Sequence, residues 1–172
     1  MDPPEIPVAG VHGLEHTADV GLVVEAPDLS ELFRRGALGA MWLVLDRPPG
    51  VPGGASPTGE PRTPSSGTFP DGQETRTVEL VEEDLPALFR SWLRLLLFWE
   101  ETEGFVTWEA DLSFTPVPLC SAADGLAFGL VAQVRGILDS GPRVREIKGV
   151  TLHGLEVRRV EAGWQGRVIF DV

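Results

Sequence analysis

A single-domain α+β fold, with two helices packed on one face of a mainly antiparallel sheet, is the architecture this chain predicts. Three observations carry it. Apolar periodicity runs strand, helix, strand, helix and then strands only, an order that segregates the helices from most of the sheet. The 172 residues, 42% of them hydrophobic, suffice for one well-buried core and fall short of two. The last two strand candidates are joined by the short turn Glu161-Ala162-Gly163, which calls for an antiparallel hairpin.

Taken in order, Val20 to Glu25 reads as a strand, its β-branched residues standing between Gly21 and the Ala26-Pro27 breaker. Asp28 or Ser30 can then cap a helix in which Leu29, Leu32, Phe33, Leu38 and Met41 recur at helical spacing. It runs to about Leu45 and stops at Asp46, because Pro48-Pro49 cannot continue it. From Arg47 to Gln73 the composition turns to Pro, Gly, Ser and Thr, which cannot bury enough surface to offset ordering entropy, and a mobile, insertion-like loop is expected. Glu74 to Val81 alternates as a half-buried strand. Asp84 caps a second helix, with Pro86 tolerated in its first turn and Gly104 ending it. Leu85, Leu88, Phe89, Trp92, Leu93, Leu95, Leu96, Trp99 and Phe105 supply a wide apolar stripe. Residues 105–114, 126–137, 150–160 and 164–172 complete the strands, with turns at Ala123-Asp124-Gly125 and Ser140-Gly141-Pro142.

A net charge of −12 weighs against direct nucleic-acid binding, which needs a basic footprint, and fits solubility, cation binding or docking to a basic partner. The single cysteine, Cys120, excludes an internal disulfide and a multi-cysteine zinc site. Met1 to Glu5 lacks a basic start and an apolar signal core, and the apolar run Leu93 to Trp99 is broken by Arg94 and too short for a bilayer, so a cytoplasmic protein without membrane contact is expected. Lys148 is the sole lysine among fourteen cationic side chains. GC-rich coding is the simplest explanation of the arginines, and it makes a retained lysine, a compact charge with rotatable donors, a position of interest; a solvated surface residue is the plainer reading.

Asp171 closes the apolar run Arg167-Val168-Ile169-Phe170, on the face opposite Val168, Phe170 and Val172. Asp19 precedes one strand and Asp46 follows one helix. Carboxylates at element ends are the raw material of an oxygen-rich site for a hard cation. No local metal motif is present, and Asp46 as a helix-end turn residue and Asp19 as a cap remain open alternatives. His12, His16 and His153 are the only histidines, and their spacing does not demand zinc. Glu82-Glu83-Asp84 resembles a catalytic carboxylate run but suits the positive end of the helix it opens. No phosphate loop, nucleophile elbow or dinucleotide fingerprint appears.

Four segments together resemble the archease family: His16-Thr17-Ala18-Asp19-Val20-Gly21, the helix Glu31 to Leu38 leading to Asp46, Ile147-Lys148-Gly149-Val150-Thr151-Leu152-His153, and Gly166 to Val172. The resemblance covers nearly the whole chain outside the 47–73 loop, which is a departure from that compact family. It implies a non-enzymatic activator of the GTP-dependent RNA-splicing ligase that joins RNA ends in tRNA splicing and RNA repair, promoting metal-dependent guanylylation and multiple turnover. It also implies that a divalent cation, expected as Ca²⁺ in a crystal with Mg²⁺ or Mn²⁺ as alternatives, is held by Asp19, Asp46 and Asp171 with Val172 adding an oxygen. By the same resemblance Lys148 contacts phosphate or the ligase. His16 and His153, each near one of these residues in sequence, are second-tier candidates. Two other functions stay in view: a metal-dependent phosphoesterase using the aspartates, and a metal-binding chaperone of another client.

Overall fold

A computed structural model describes residues 5–16, 19–47, 72–118 and 126–172. Apart from its two ends, the loop expected over 47–73 lies outside the described residues, as do Cys120 and the turn at 123–125. The elements in order are β1 (Val11–His16), β2 (Asp19–Ala26), α1 (Leu29–Leu45), β3 (Gln73–Glu82), α2 (Leu85–Glu103), β4 (Phe105–Pro118), β5 (Leu126–Leu138), β6 (Gly149–Val150), β7 (Glu156–Val160) and β8 (Gly163–Asp171).

Both helices start and stop where local chemistry directs. Asp28 and Asp84 are extended N-caps whose carboxylates accept the N–H groups of Glu31 at 2.8 Å and Ala87 at 2.7 Å, satisfying donors the first helical turn leaves unpaired. Gly104 ends α2 in the left-handed region at φ 69°, where a Cβ would also stand 2.9 Å from the Asp139 carbonyl. Glu31 accepts from Arg34 and Arg35 one turn on, and those bonds, Arg34's first, hold its carboxyl below the usual value against the opposing effect of burial.

The fold is α+β with antiparallel pairing throughout, as expected. The strands divide between two sheets, one ordered β1-β2-β8-β6 with β7 also on β8, the other β3-β5-β4. Both helices contact strands of both sheets. The 150–160 segment holds two short strands rather than one: Thr151 N–H still donates to the Ile169 carbonyl of β8 at 2.9 Å, and residues 152–155 then turn through Gly154 at φ 64°. β1 was not marked by the sequence: it is a short edge strand interrupted by Gly13, with a single fully inward apolar residue, Val11, among its described side chains.

Phe33 of α1 sits at the centre of the core, edge-on to Phe89 of α2 and Phe114 of β4, each ring centroid 4.9 Å away. The Trp92 indole donates to the Phe33 carbonyl at 3.0 Å, tying the two helices together. Their close approach depends on Gly36, where an added Cβ would lie 2.6 Å from two ring carbons of buried Phe89. Alanine ordinarily favours a helix by about 1 kcal/mol over glycine. Here overpacking outweighs that gain, so Gly36→Ala is expected to destabilise the fold by about 1–3 kcal/mol, read from the urea midpoint.

Candidate functional site

The site begins with the pleat of β8. Val168 and Phe170 are fully buried against the helices, so Arg167, Ile169 and Asp171 take the other face. β2 is patterned alike, with Val20, Leu22 and Val24 inward. These strands pair antiparallel in a register that sets Asp19 directly opposite Asp171. Directly opposed residues share a face, with Cβ atoms roughly 4.5–5.5 Å apart, and like charges so placed repel. The row continues across the sheet, from His16 opposite Asp19 to Gly149 opposite Asp171. The His16 side chain lies outside the described residues.

Asp46 reaches the same end of the sheet by a different route. β2 and the 17-residue α1 each span roughly 25 Å and run in opposite directions, with Gly39 of α1 against Leu22 of β2. The helix therefore brings its C-terminus back toward Asp19. Asp46 caps it in the left-handed region, φ 51° and ψ 32°, its N–H donating to the Trp42 carbonyl at 2.8 Å. Among the described residues it is the only non-glycine with positive φ. A branched carboxylate there costs about 1 kcal/mol relative to glycine and stands at the negative end of the helix dipole, an arrangement stability alone does not favour. Asp46→Gly is accordingly expected to raise the urea midpoint, by about 1 kcal/mol of stability, while removing a carboxylate from the site.

The segment leading into β6 joins these parts. Val144 N–H donates to the Val44 carbonyl at 2.8 Å, Arg145 N–H to the same oxygen at 3.3 Å, and Arg145 Nη1 to the Leu43 carbonyl at 3.2 Å. Three residues later Lys148 N–H donates to the Asp171 carbonyl at 2.8 Å. Lys148 is exposed, and Val172 beside Asp171 is 37% exposed. His153 lies farther along, exposed in the 152–155 turn, where its carbonyl accepts from Thr151 Oγ1 at 3.5 Å.

Upstream, Asp139 is buried and accepts from Arg47 Nη2 at 2.5 Å and from Gly141 N–H at 2.7 Å, with Arg143 Nη1 4.0 Å away. Burial pushes its carboxyl up, but Arg47, the Gly141 N–H and the Arg143 charge together prevail, and it titrates below the usual aspartate value. Arg143 also donates to Glu100 Oε1, the Gly141 carbonyl and the Asp139 carbonyl, at 2.5, 2.5 and 2.7 Å.

Asp19 and Asp171 are thus adjacent, Lys148 is bonded to Asp171 through its backbone, and Asp46 is delivered to the same end. Among the described residues no three His, Cys, Asp or Glu side chains stand already arranged to hold a metal ion. Among the described side chains, Asp19, Asp46 and Asp171 offer carboxylate oxygens, the type hard divalent cations take. Sequence reasoning missed Arg47, Asp139 and Arg145; the turn expected at Ser140-Gly141-Pro142 begins one residue after Asp139, and nothing local pointed to the other two.

Residues 65–172 match the family model of the archease protein family. Relatives named protein archease include that of Methanosarcina acetivorans, 28% identical over 160 residues, which span 92% of this chain and 93% of the relative. That of Methanothermobacter thermautotrophicus is 28% identical over 163 residues, 95% of this chain and 99% of the relative. That of Thermococcus gammatolerans is 29% identical over 163 residues, 92% and 95% of the two chains. The solution structure of Methanobacterium thermoautotrophicum protein 1598 is similar in fold, with a TM-score of 0.62 at 24% identity, covering 95% of this chain and 99% of that one.

Proposed function

Because this chain belongs to the archease family, we propose that it is a non-enzymatic protein cofactor that activates the GTP-dependent RNA-splicing ligase, in the cytoplasm, during tRNA splicing and RNA repair. Asp19, Asp46 and Asp171, with an oxygen from Val172, bind a divalent cation in this reading. The observation that carries it is the register placing Asp19 opposite Asp171, a repulsive pair that a cation converts into an attractive site. Strained Asp46 at the carbonyl end of α1 adds negative potential at the same end. When bound, the cation supplies positive charge able to offset that of nucleotide phosphates.

The chain's own residues do the rest. The β2–β8 ladder sets two carboxylates directly opposite one another, and the backbone bond from Lys148 to Asp171 brings that residue next to them, its exposed ammonium serving as the contact for phosphate or the ligase. Val144, whose N–H bonds to the end of α1, Leu152, after β6, and Val172, after Asp171, are exposed apolar side chains that a protein partner would cover in this reading. A net charge of −12 supports the same division of labour, in which the ligase grips the RNA. No helix among the described residues is long and apolar enough to cross a membrane.

The test adds the purified chain to the ligase with GTP and Mn²⁺ and follows guanylylation and turnover. Guanylylation should accelerate and the ligase should pass from single to multiple turnover. An unchanged rate at saturating protein would overturn the assignment.

A further inference from the structure

We propose that Arg145 is a positioning residue for the cation site, holding α1 so that Asp46 faces the Asp19–Asp171 pair; this rests on the reading above. The cation site draws on two bodies, the sheet that carries Asp19 and Asp171 and the helix that carries Asp46. Those bodies meet through apolar side chains such as Leu22, Leu32 and Met41, and Arg35 Nη1 ties the N-terminal half of the helix to the Glu25 carbonyl of β2 at 2.7 Å, which leaves the C-terminal end of the helix to be fixed. Directional bonds must fix it.

Such bonds come from residues 144–148. Two backbone N–H groups and one guanidinium grip the last carbonyls of α1, and three residues on, Lys148 N–H grips the Asp171 carbonyl. Three residues extend to roughly 10 Å at most, so the link fixes how far the end of α1 can stand from Asp171. Its upstream end is anchored as well, by Arg143 on Glu100 of α2 and on the Gly141 and Asp139 carbonyls. Arg47, next to Asp46, is held by Asp139. Within 144–148, Arg145 contributes the side-chain hydrogen bond to α1, and it does so where the helix itself supplies no basic residue in its last turn. Its planar fork fixes direction in a way a point charge does not.

A helix-capping role alone would change stability and leave cation affinity untouched, which separates the two. The experiment titrates Mn²⁺ into the full chain by calorimetry for wild type, R145A, R145K and D171A, with urea midpoints alongside. R145A is expected to bind Mn²⁺ about 10–100-fold more weakly, the range seen when outer-shell partners are removed. R145K, able to donate to a carbonyl from a single point, should recover part of the loss, and D171A should show no site. R145A binding within twofold of wild type, in a protein whose urea transition stays cooperative, overturns the positioning role and leaves the cation reading standing. A wild type that binds no Mn²⁺ overturns both. Should R145A not fold, R145K decides alone: affinity equal to wild type overturns the role, and an intermediate loss supports it.

Discussion

Asp171→Ala should abolish stimulation of the ligase while the chain remains folded. Asp171 is exposed at the end of β8, its side chain on the face away from the helices, so alanine leaves the core contacts of Val168 and Phe170 in place. Its backbone bond from Lys148 survives as well. Removing one of two opposed carboxylates relieves repulsion with Asp19, so in cation-free buffer the urea midpoint should hold or rise slightly, by less than about 0.5 kcal/mol of stability. Mn²⁺ affinity should fall by more than the 10–100-fold that loss of an outer-shell partner costs. The measurements are guanylylation of the ligase with wild-type or variant protein, and the urea midpoint of each. Full stimulation by the variant would remove Asp171 from the site.

Asp139→Asn should carry the opposite signature, a large loss of stability. The buried carboxylate faces Arg47 at 2.5 Å and Arg143 at 4.0 Å; an amide of the same size removes the charge from the Arg47 bond, while Arg143 keeps Glu100 at 2.5 Å. Breaking a buried pair from one side costs about 3–5 kcal/mol; Arg47 keeps some solvent contact, which places the expected loss near 3 kcal/mol. The pH dependence follows in sign. Asp139 titrates lower in the folded chain than in the unfolded one, so its stabilisation is complete above about pH 4 and is lost as pH falls through the folded value. Urea midpoints between pH 7 and pH 2 should therefore converge for wild type and variant at the acid end. Glu31, also lowered, is common to both and cancels in the difference. Parallel curves across that range would show that Asp139 contributes no titrating stabilisation.

Local chemistry was legible in the sequence and long-range chemistry was not. Asp28, Asp84 and Gly104 announced their helix ends because capping needs only neighbours within four residues. Alternation from Arg167 to Val172 assigned Asp171 to its face correctly, since the pleat depends on nothing beyond the strand. Alternation cannot name the strand lying alongside, so the pairing of Asp19 with Asp171 and the division into two sheets were beyond reach of periodicity. Asp46 was visible as a helix-end residue before Pro48, yet its left-handed backbone was not, because glycine or asparagine is the usual sign of that conformation. Arg145 and Arg47 gave no signal at all: their side-chain partners lie 102 and 92 residues away. The family resemblance filled part of this gap by pointing to the aspartates together, and it said nothing of the residues that hold them in place.

β8 is the last element in sequence and the middle of its sheet, flanked by β2 on one side and by β6 and β7 on the other. During synthesis, β2 emerges early and waits through residues 27–162, 136 residues, before its partner leaves the ribosome. At about 5–20 residues per second that interval is roughly 7–27 s, during which one edge of β2 offers unpaired backbone groups to any extended chain nearby. The nascent chain is therefore exposed to aggregation until β8 emerges and pairs with β2. Slowing initiation, lowering temperature or supplying a chaperone that shields strand edges should raise soluble yield more than any change to the surface of the folded protein.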